Sequence, residues 1–233
     1  RLLVCASLKD AAGNPLDGDG NGSGGDDFSR SFRVELARPT VTLVHSVADT
    51  GDGALGENEA TNVAITELVV SFSEEVLGGD STASFLLVES GLDGTLDTTV
   101  CGPLAGDDAS VVVDSAVYAS LSSTSTLALS GGAALADGTY RLLVCGTVTD
   151  LGGNAIDDDD DGDGNDDFER NFIVDTVPPT NPTAISSSTH VHAAWSPVTG
   201  FGAQWSGGTD DRSGPAGYSV VIDGNPTTAV DCT

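Results

Sequence analysis

Short apolar runs, each broken by Gly, Asp, Asn or Thr, follow one another along the whole chain. Within several of them the apolar positions alternate. Leu68, Val70 and Phe72 face polar neighbours in Glu67–Val76 (ELVVSFSEEV), the pattern of a half-buried strand. Further strands are expected at Val41–Val47, Ala83–Glu89, Thr98–Cys101, Ser110–Tyr118, Thr124–Leu129, Thr139–Val148 and Phe168–Val174. Tyr140, Leu142 and Val144 should face a core, with the Tyr140 hydroxyl available at a loop corner. No stretch of a dozen residues carries helical periodicity, so helix should be scarce. The pattern is that of an all-β chain.

The chain also repeats itself. Residues 1–40 lie over 141–180 without a gap and are identical at 20 of 40 positions. Residues 1–38 therefore read as the last two strands of one repeat, Arg1–Leu8 and Phe28–Leu36, joined through the turn signal Asp10-Ala-Ala-Gly13-Asn14. Residues 39–177 read as one complete repeat. Its seven or eight short strands suit an immunoglobulin-like β-sandwich, so the expected fold is a tandem of such sandwiches. A proline-rich linker, TVPPTNPT, spans 176–183, and residues 178–233 beyond the repeat differ in composition.

Between the last two strands of each repeat lies an acidic loop. In Asp157–Asp167, DDDDDGDGNDD, eight of eleven residues are aspartate. Two unit charges about 4 Å apart repel by roughly 1 kcal/mol in bulk water, and by several near a protein surface. Such a loop either splays into solvent or wraps a hard cation. Asp157, Asp159 and Asp161 alternate and are followed by Gly162, as in the opening of a calcium loop. Phe168 occupies the twelfth position, where a helical calcium loop has glutamate, so Asp166 and Asp167 would supply the closing carboxylates, with Asp163 a further candidate. The first repeat keeps Asp17, Asp19, Asn21, Gly22, Asp26 and Asp27 at the matching positions, while Gly18 and Gly20 stand opposite Asp158 and Asp160. Keeping oxygen donors at one, three and five while losing them between favours Ca2+ over a merely solvated loop.

The formal charge of −28 and pI near 4.1 bear on partners. Eight basic residues spread along the chain cannot neutralise a phosphate backbone, which argues against nucleic acid, and the acidity argues equally against anionic lipid. No run is long and apolar enough for membrane insertion. The balance suits an extracellular protein living with millimolar calcium. The chain begins within a strand and without methionine, and reads as a window on a longer polypeptide. Cys101 and Cys145 fall in the same repeat and are the expected disulfide, two buried thiols being the alternative. Cys5 stands where Cys145 stands, so its partner is expected upstream, and Cys232 has none in view.

A resemblance sharpens this reading. DTGDG, then ENE, the FSEEV strand and GTYRLLVCGTVTDLGGNAIDDDDDGDGNDDFERNF resemble the bacterial Ig-like domains found in tandem in large secreted surface proteins. SSSTHVHAAWSP and FGAQWSGGTDDRSGPAGYSVVID resemble the first half of a fibronectin type III-like domain, which implies Trp205 and Tyr218 as core aromatics. What the resemblance implies is an architectural or adhesive module with no active site. The expected function is mechanical: an extended stalk, filament or adhesin on the bacterial cell surface, stiffened by calcium at its domain ends and by the disulfide. Its partners would be neighbouring domains or other copies of the same polypeptide. Two alternatives are a subunit completed by a neighbour's strands and a module whose loops bind surface glycans or proteins.

The remaining constellations are weaker. Asp49, Asp52, Glu57 and Glu59 form a second acidic cluster that a solvated loop explains equally well. His190 and His192 alternate but have no third ligand, His45 stands alone, Asp210 and Asp211 shape a loop, and no nucleophile motif occurs. Trp195 and Trp205 read as buried, leaving no aromatic platform for a glycan.

Overall fold

The computed structural model describes residues 1–47, 51, 53–158, 164, 166–182, 184–191, 194–218 and 220. Internal packing divides the chain into two units, Arg1–Ala37 and Arg38–Thr233.

The first unit is a single antiparallel hairpin of β1 (Leu2–Val4) and β2 (Phe28–Arg30). In the second, β3 (Val41–Ser46), β4 (Glu59–Thr61), β5 (Glu67–Phe72), β6 (Val76–Leu77) and β7 (Phe85–Glu89) come first. They are followed by β8 (Ala109–Val111), β9 (Val113–Ala119), β10 (Thr124–Leu129), β11 (Gly138–Val144), β12 (Thr149–Asp150) and β13 (Phe168–Val174). A four-stranded sheet of order β3-β5-β10-β9 is antiparallel throughout. A five-stranded sheet has the order β4-β13-β11-β7-β8, with β4 parallel to β13 and the rest antiparallel. A short hairpin, β14 (Ala184–Ser187) with β15 (Ala203–Ser206), stands beyond them.

The two large sheets share one core, which makes them a sandwich. Leu68, Val70, Phe72, Leu127 and Leu129 from the first pack with Leu87, Tyr140, Leu142, Val144, Phe172 and Val174 from the second. The alternation in β5 decides its face: Leu68, Val70 and Phe72 are buried, while Glu67, Val69 and Ser71 are half-buried. Strand β11 is different, because Tyr140 through Cys145 are all buried. Its outer face is covered by the segment after β7. Arg141 Nη1 donates to the Thr98 carbonyl at 2.9 Å, and Cys101 is disulfide-bonded to Cys145.

Several expected strands are redrawn. Ser110–Tyr118 is two strands, because the chain leaves the five-stranded sheet at Val112 and enters the other; the Val112 carbonyl accepts the Ser130 N–H at 2.9 Å. Continuous Val alternation cannot mark such a crossing. Thr98–Cys101, β-branched in composition, has no strand partner and crosses the sheet instead of extending it. Glu67–Val76 ends at Phe72 and resumes as β6, which pairs with β12. Arg1–Leu8 and Phe28–Leu36 shrink to three residues each, and Thr139–Val148 ends at Val144. Strand β4 was not expected at all. Trp205 meets Tyr218 edge-on at 5.8 Å, but both are exposed, at 37% and 47%, where core aromatics were expected, and Trp195, also expected buried, is fully exposed.

Tyr140 does both things its position asks. Its ring stacks on Phe172 at 5.5 Å, and its hydroxyl donates to the Ala136 carbonyl at 2.8 Å. Burial, reinforced by the charge of Glu89, pushes its phenol up to about 12. The unfolded phenol ionises near 10, so the unfolded chain holds fewer protons than the folded one between those values and stability falls as pH rises through the window. Tyr140→Phe should cost about 1 kcal/mol at neutral pH through the lost hydrogen bond. It should also flatten the loss between pH 9.5 and 11.5, as urea unfolding would read.

Candidate metal-binding loops

The loops are framed by turns that the repeat reproduces bond for bond. Asp10 accepts the N–H groups of Ala12 and Asn14, both at 2.9 Å, and the Asn14 side-chain amide at 2.8 Å. Asp150 accepts the Asn154 N–H and side-chain amide, both at 2.7 Å. These donors hold both carboxyls below the usual carboxylate range, the Asn14 side chain foremost for Asp10 and the Asn154 side chain for Asp150 against the opposing effect of burial. Gly13 and Gly153 take the same φ of +89°, in the left-handed region that glycine enters without strain.

In the first unit the acidic loop curls over itself. Asp17 accepts the N–H groups of Gly20 at 2.8 Å, Asn21 at 3.1 Å and Gly22 at 2.8 Å. Asp19 accepts the Asn21 N–H at 3.0 Å and its side-chain amide at 2.9 Å. Carboxylate oxygens of Asp17, Asp19 and Asp26 all lie within 4.8 Å of one another. Asp26 Oδ2 is buried and makes no hydrogen bond. Burial, then the charges of Asp19 and Asp17, hold the Asp26 carboxyl above its ordinary range, while the Asn21 N–H lowers that of Asp19. The pair is thus set up to share a proton or to meet a cation.

Two expected ligands are turned elsewhere. The Asn21 side-chain Oδ1 accepts the Ser23 N–H at 2.7 Å, and Asp27 Oδ1 accepts the Ala6 N–H at 2.6 Å. Asp167 repeats the second contact, taking the Gly146 N–H at 2.7 Å on Oδ1, and adds the Cys101 N–H on Oδ2. The carboxylate therefore ties the strand end to the disulfide. Cys101, Cys145 and Asp167 also cluster at metal-ligand distance, but both sulfurs are spent on each other.

The second acidic loop is described in part. Asp157 is buried at 2% exposure, with Arg38 Nε 4.0 Å from its Oδ2 and its own N–H donated to the Pro39 carbonyl. Asp166 is exposed. Asp159, Asp161 and Asp163 lie outside the described residues, as do Asp49, Asp52 and His192.

The minor clusters resolve into local bonding. Glu57 accepts the Asn171 N–H and side-chain amide at 3.0 and 2.6 Å and lies 3.9 Å from Arg170. Glu59 accepts the Gly56 N–H at 2.6 Å, and Asp210 the N–H groups of Arg212 and Gly214. His190 Nδ1 is 2.9 Å from the Thr189 hydroxyl, and His45 Nδ1 is 3.1 Å from the Ser46 carbonyl. A further exposed trio, Asp93, Asp97 and Asp107, gathers on the segment that covers β11; no sequence motif marks it. No helix among the described residues is long and apolar enough to cross a membrane. No family model, curated protein or solved structure matches the chain.

Removing Asp167 strips the acceptor from the N–H groups of Gly146 and Cys101, and hydrogen bonds to a charged group are worth about 1.5–3 kcal/mol each. Asp167→Ala should cost the sandwich about 2 kcal/mol or more in non-reducing urea titration. Asp27→Ala should leave that transition where it is.

Proposed function

We propose that the chain is a structural, non-catalytic segment of a secreted or cell-surface bacterial protein, built of tandem immunoglobulin-like sandwiches whose acidic loops bind calcium. The observation that carries the reading is the convergence of Asp17, Asp19 and Asp26 beside an Asp26 oxygen that is buried without a hydrogen bond. Carboxylate oxygens are the ligands a hard cation takes, and an ion there would offset the burial and the neighbouring charges that raise the Asp26 carboxyl.

Support for the immunoglobulin-like part comes from the strand orders, from β4 running parallel beside β13, and from the tyrosine whose hydroxyl reaches back to Ala136. The Cys101–Cys145 bond suits an oxidising compartment. In this reading calcium couples charge to shape. With the ion each loop is a compact end to its domain; without it, the carboxylates repel and the end loosens.

The deciding experiment is thermal unfolding of the full chain with millimolar calcium, with chelator, and with magnesium as control. A site with a dissociation constant of about 0.1 mM adds about 2 kcal/mol at about 2 mM calcium. The rise in Tm should be specific to calcium. It should shrink when Asp17, Asp19 and Asp26 become Asn, and vanish when Asp157, Asp159 and Asp161 are changed as well. Calorimetry at acidic pH should record a proton released on binding, lost in Asp26→Asn. No calcium-specific shift would remove the metal from this function.

A second reading is a module that binds glycans, favoured by the full exposure of Trp195, which offers a flat apolar face for a sugar ring. Trp195→Ala would abolish such binding and leave the calcium response intact.

A further inference from the structure

The segment between β7 and β8 carries a charge cluster that its own hydrogen bonds leave unbalanced. Asp93, Asp97 and Asp107 bring carboxylate oxygens within 4.8 Å of one another. The backbone is shaped for that approach. Gly91 and Gly106 take φ of +55° and +58°, and a Cβ at Gly91 would overlap the Asp107 carboxylate, one at Gly106 that of Asp97. Beside the three stands Asp108, buried to 7% exposure. Its Oδ2 accepts the N–H groups of Asp97 and Thr98 at 3.0 and 2.7 Å, which turns this carboxylate toward the Asp97 end of the cluster. Its Oδ1 is shut away from solvent and takes a hydrogen bond from no described residue.

An exposed aspartate leaves its charge to water, but Asp108 Oδ1 has no such outlet. A buried anionic oxygen without a donor is strongly unfavourable unless positive charge stands beside it. No salt bridge reaches any of the four aspartates from a described residue, and the sequence holds neither lysine nor arginine between Arg38 and Arg141. Arg141 itself is engaged elsewhere, with the Thr98 carbonyl, Asn171 and Glu169.

We propose that Asp93, Asp97, Asp107 and Asp108 form a binding site for a hard divalent cation, magnesium or calcium, on the segment that covers β11. Carboxylate oxygens are the ligands such ions take. Three of the four side chains are exposed, so the ion keeps water on its open side and no closed cage selects the larger coordination shell of calcium. The site is separate from the two acidic loops. It would add the same increment with either ion, and the calcium-specific response stays with the loops. Its effect on the fold follows from chain position. Asp93 comes soon after β7, and Asp107 and Asp108 come just before β8, so one ion ties together the two roots of a segment that the disulfide holds at Cys101.

The test uses the full chain with Asp17, Asp19, Asp26, Asp157, Asp159 and Asp161 all changed to Asn, which removes the response of the loops. Manganese is the probe, a paramagnetic ion that takes the same oxygen ligands, and NMR reads which backbone amides it broadens. Those of Leu92, Asp97 and Thr98, which donate to Asp107 and Asp108, should broaden first. Magnesium and calcium should restore them at similar concentrations. Asp93→Asn combined with Asp107→Asn should weaken manganese binding about tenfold or more, because two of the four charges are gone. The metal-free urea midpoint should stay where it is, since Asn oxygens can still accept the Thr95 and Leu92 N–H groups. Asp108→Asn should weaken binding as strongly. Broadening spread evenly over the acidic surface, or unchanged by these substitutions, would overturn the proposal and leave only a diffuse ion atmosphere. Capture at this site with no calcium-specific shift in the unsubstituted chain would uphold it and remove the loops instead.

Discussion

Strand β11 is buried on both faces, and that double burial is the constraint from which the rest of the sandwich follows. Its inner face, Tyr140, Leu142 and Val144, joins the shared core. Its outer face carries Leu143 and Cys145, with Arg141 buried to 9% exposure between strands. A buried guanidinium costs several kcal/mol unless its donors are satisfied. Here Nε donates to Asn171 Oδ1 at 2.8 Å and Nη1 to the Thr98 carbonyl, with Glu169 3.5 Å away. The segment between β7 and β8 therefore cannot lift off without stranding a charge and exposing apolar surface together. The disulfide and the Asp167 carboxylate fasten it at its far end.

Acidic residues do two kinds of work in this chain, and geometry separates them. Asp10, Asp27, Asp150 and Asp167 each face backbone N–H groups, which neutralise them locally and fold turns and strand ends. These four are the same two positions in each repeat. Asp17 and Asp19 also accept N–H groups of their own loop, but they bring their carboxylate oxygens together with those of Asp26. At such separations the repulsion is of order 1 kcal/mol per pair in water and more where solvent is excluded. A chain of formal charge −28 offers no surplus of cations to relieve it. The same residue type thus closes the fold at one end of the loop and leaves it electrostatically open at the other.

Much of this was legible in the sequence. The alternation in β5 named its buried face, the repeat paired the turns around Gly13 and Gly153, and the shared repeat picked out Cys101 with Cys145. What escaped was set by distant partners. Val111 and Val113 alternate smoothly across the point where the chain changes sheets, because side-chain period carries no information on which neighbour a strand pairs with. Thr98–Cys101 has the composition of a strand but is recruited by Arg141 and Cys145. Asp27 and Asp167 sit at the end of an acidic run and look like ligands, although their oxygens are directed at the N–H groups of Ala6 and Gly146. Trp195 reads as core by residue type alone.

The two copies of RLLVC separate local from tertiary causes more cleanly than any substitution. The shared RLLVC keeps its pairing register in both places: Leu2 with Arg30 and Val4 with Phe28, as Leu142 with Arg170 and Val144 with Phe168. The turn hydrogen bonds match to about 0.1–0.2 Å between copies, so the tight turn is a local property of Asp-x-x-Gly-Asn. The strands are not: Leu2, Phe32 and Val34 are exposed where Leu142, Phe172 and Val174 are buried. Strand ladders lengthen when both faces are covered, because each further paired residue then adds apolar burial to offset the backbone entropy of about 1–2 kcal/mol that fixing it costs. The tight turn is thus encoded within its own residues, whereas the length of a strand depends on the partners and surfaces set against it.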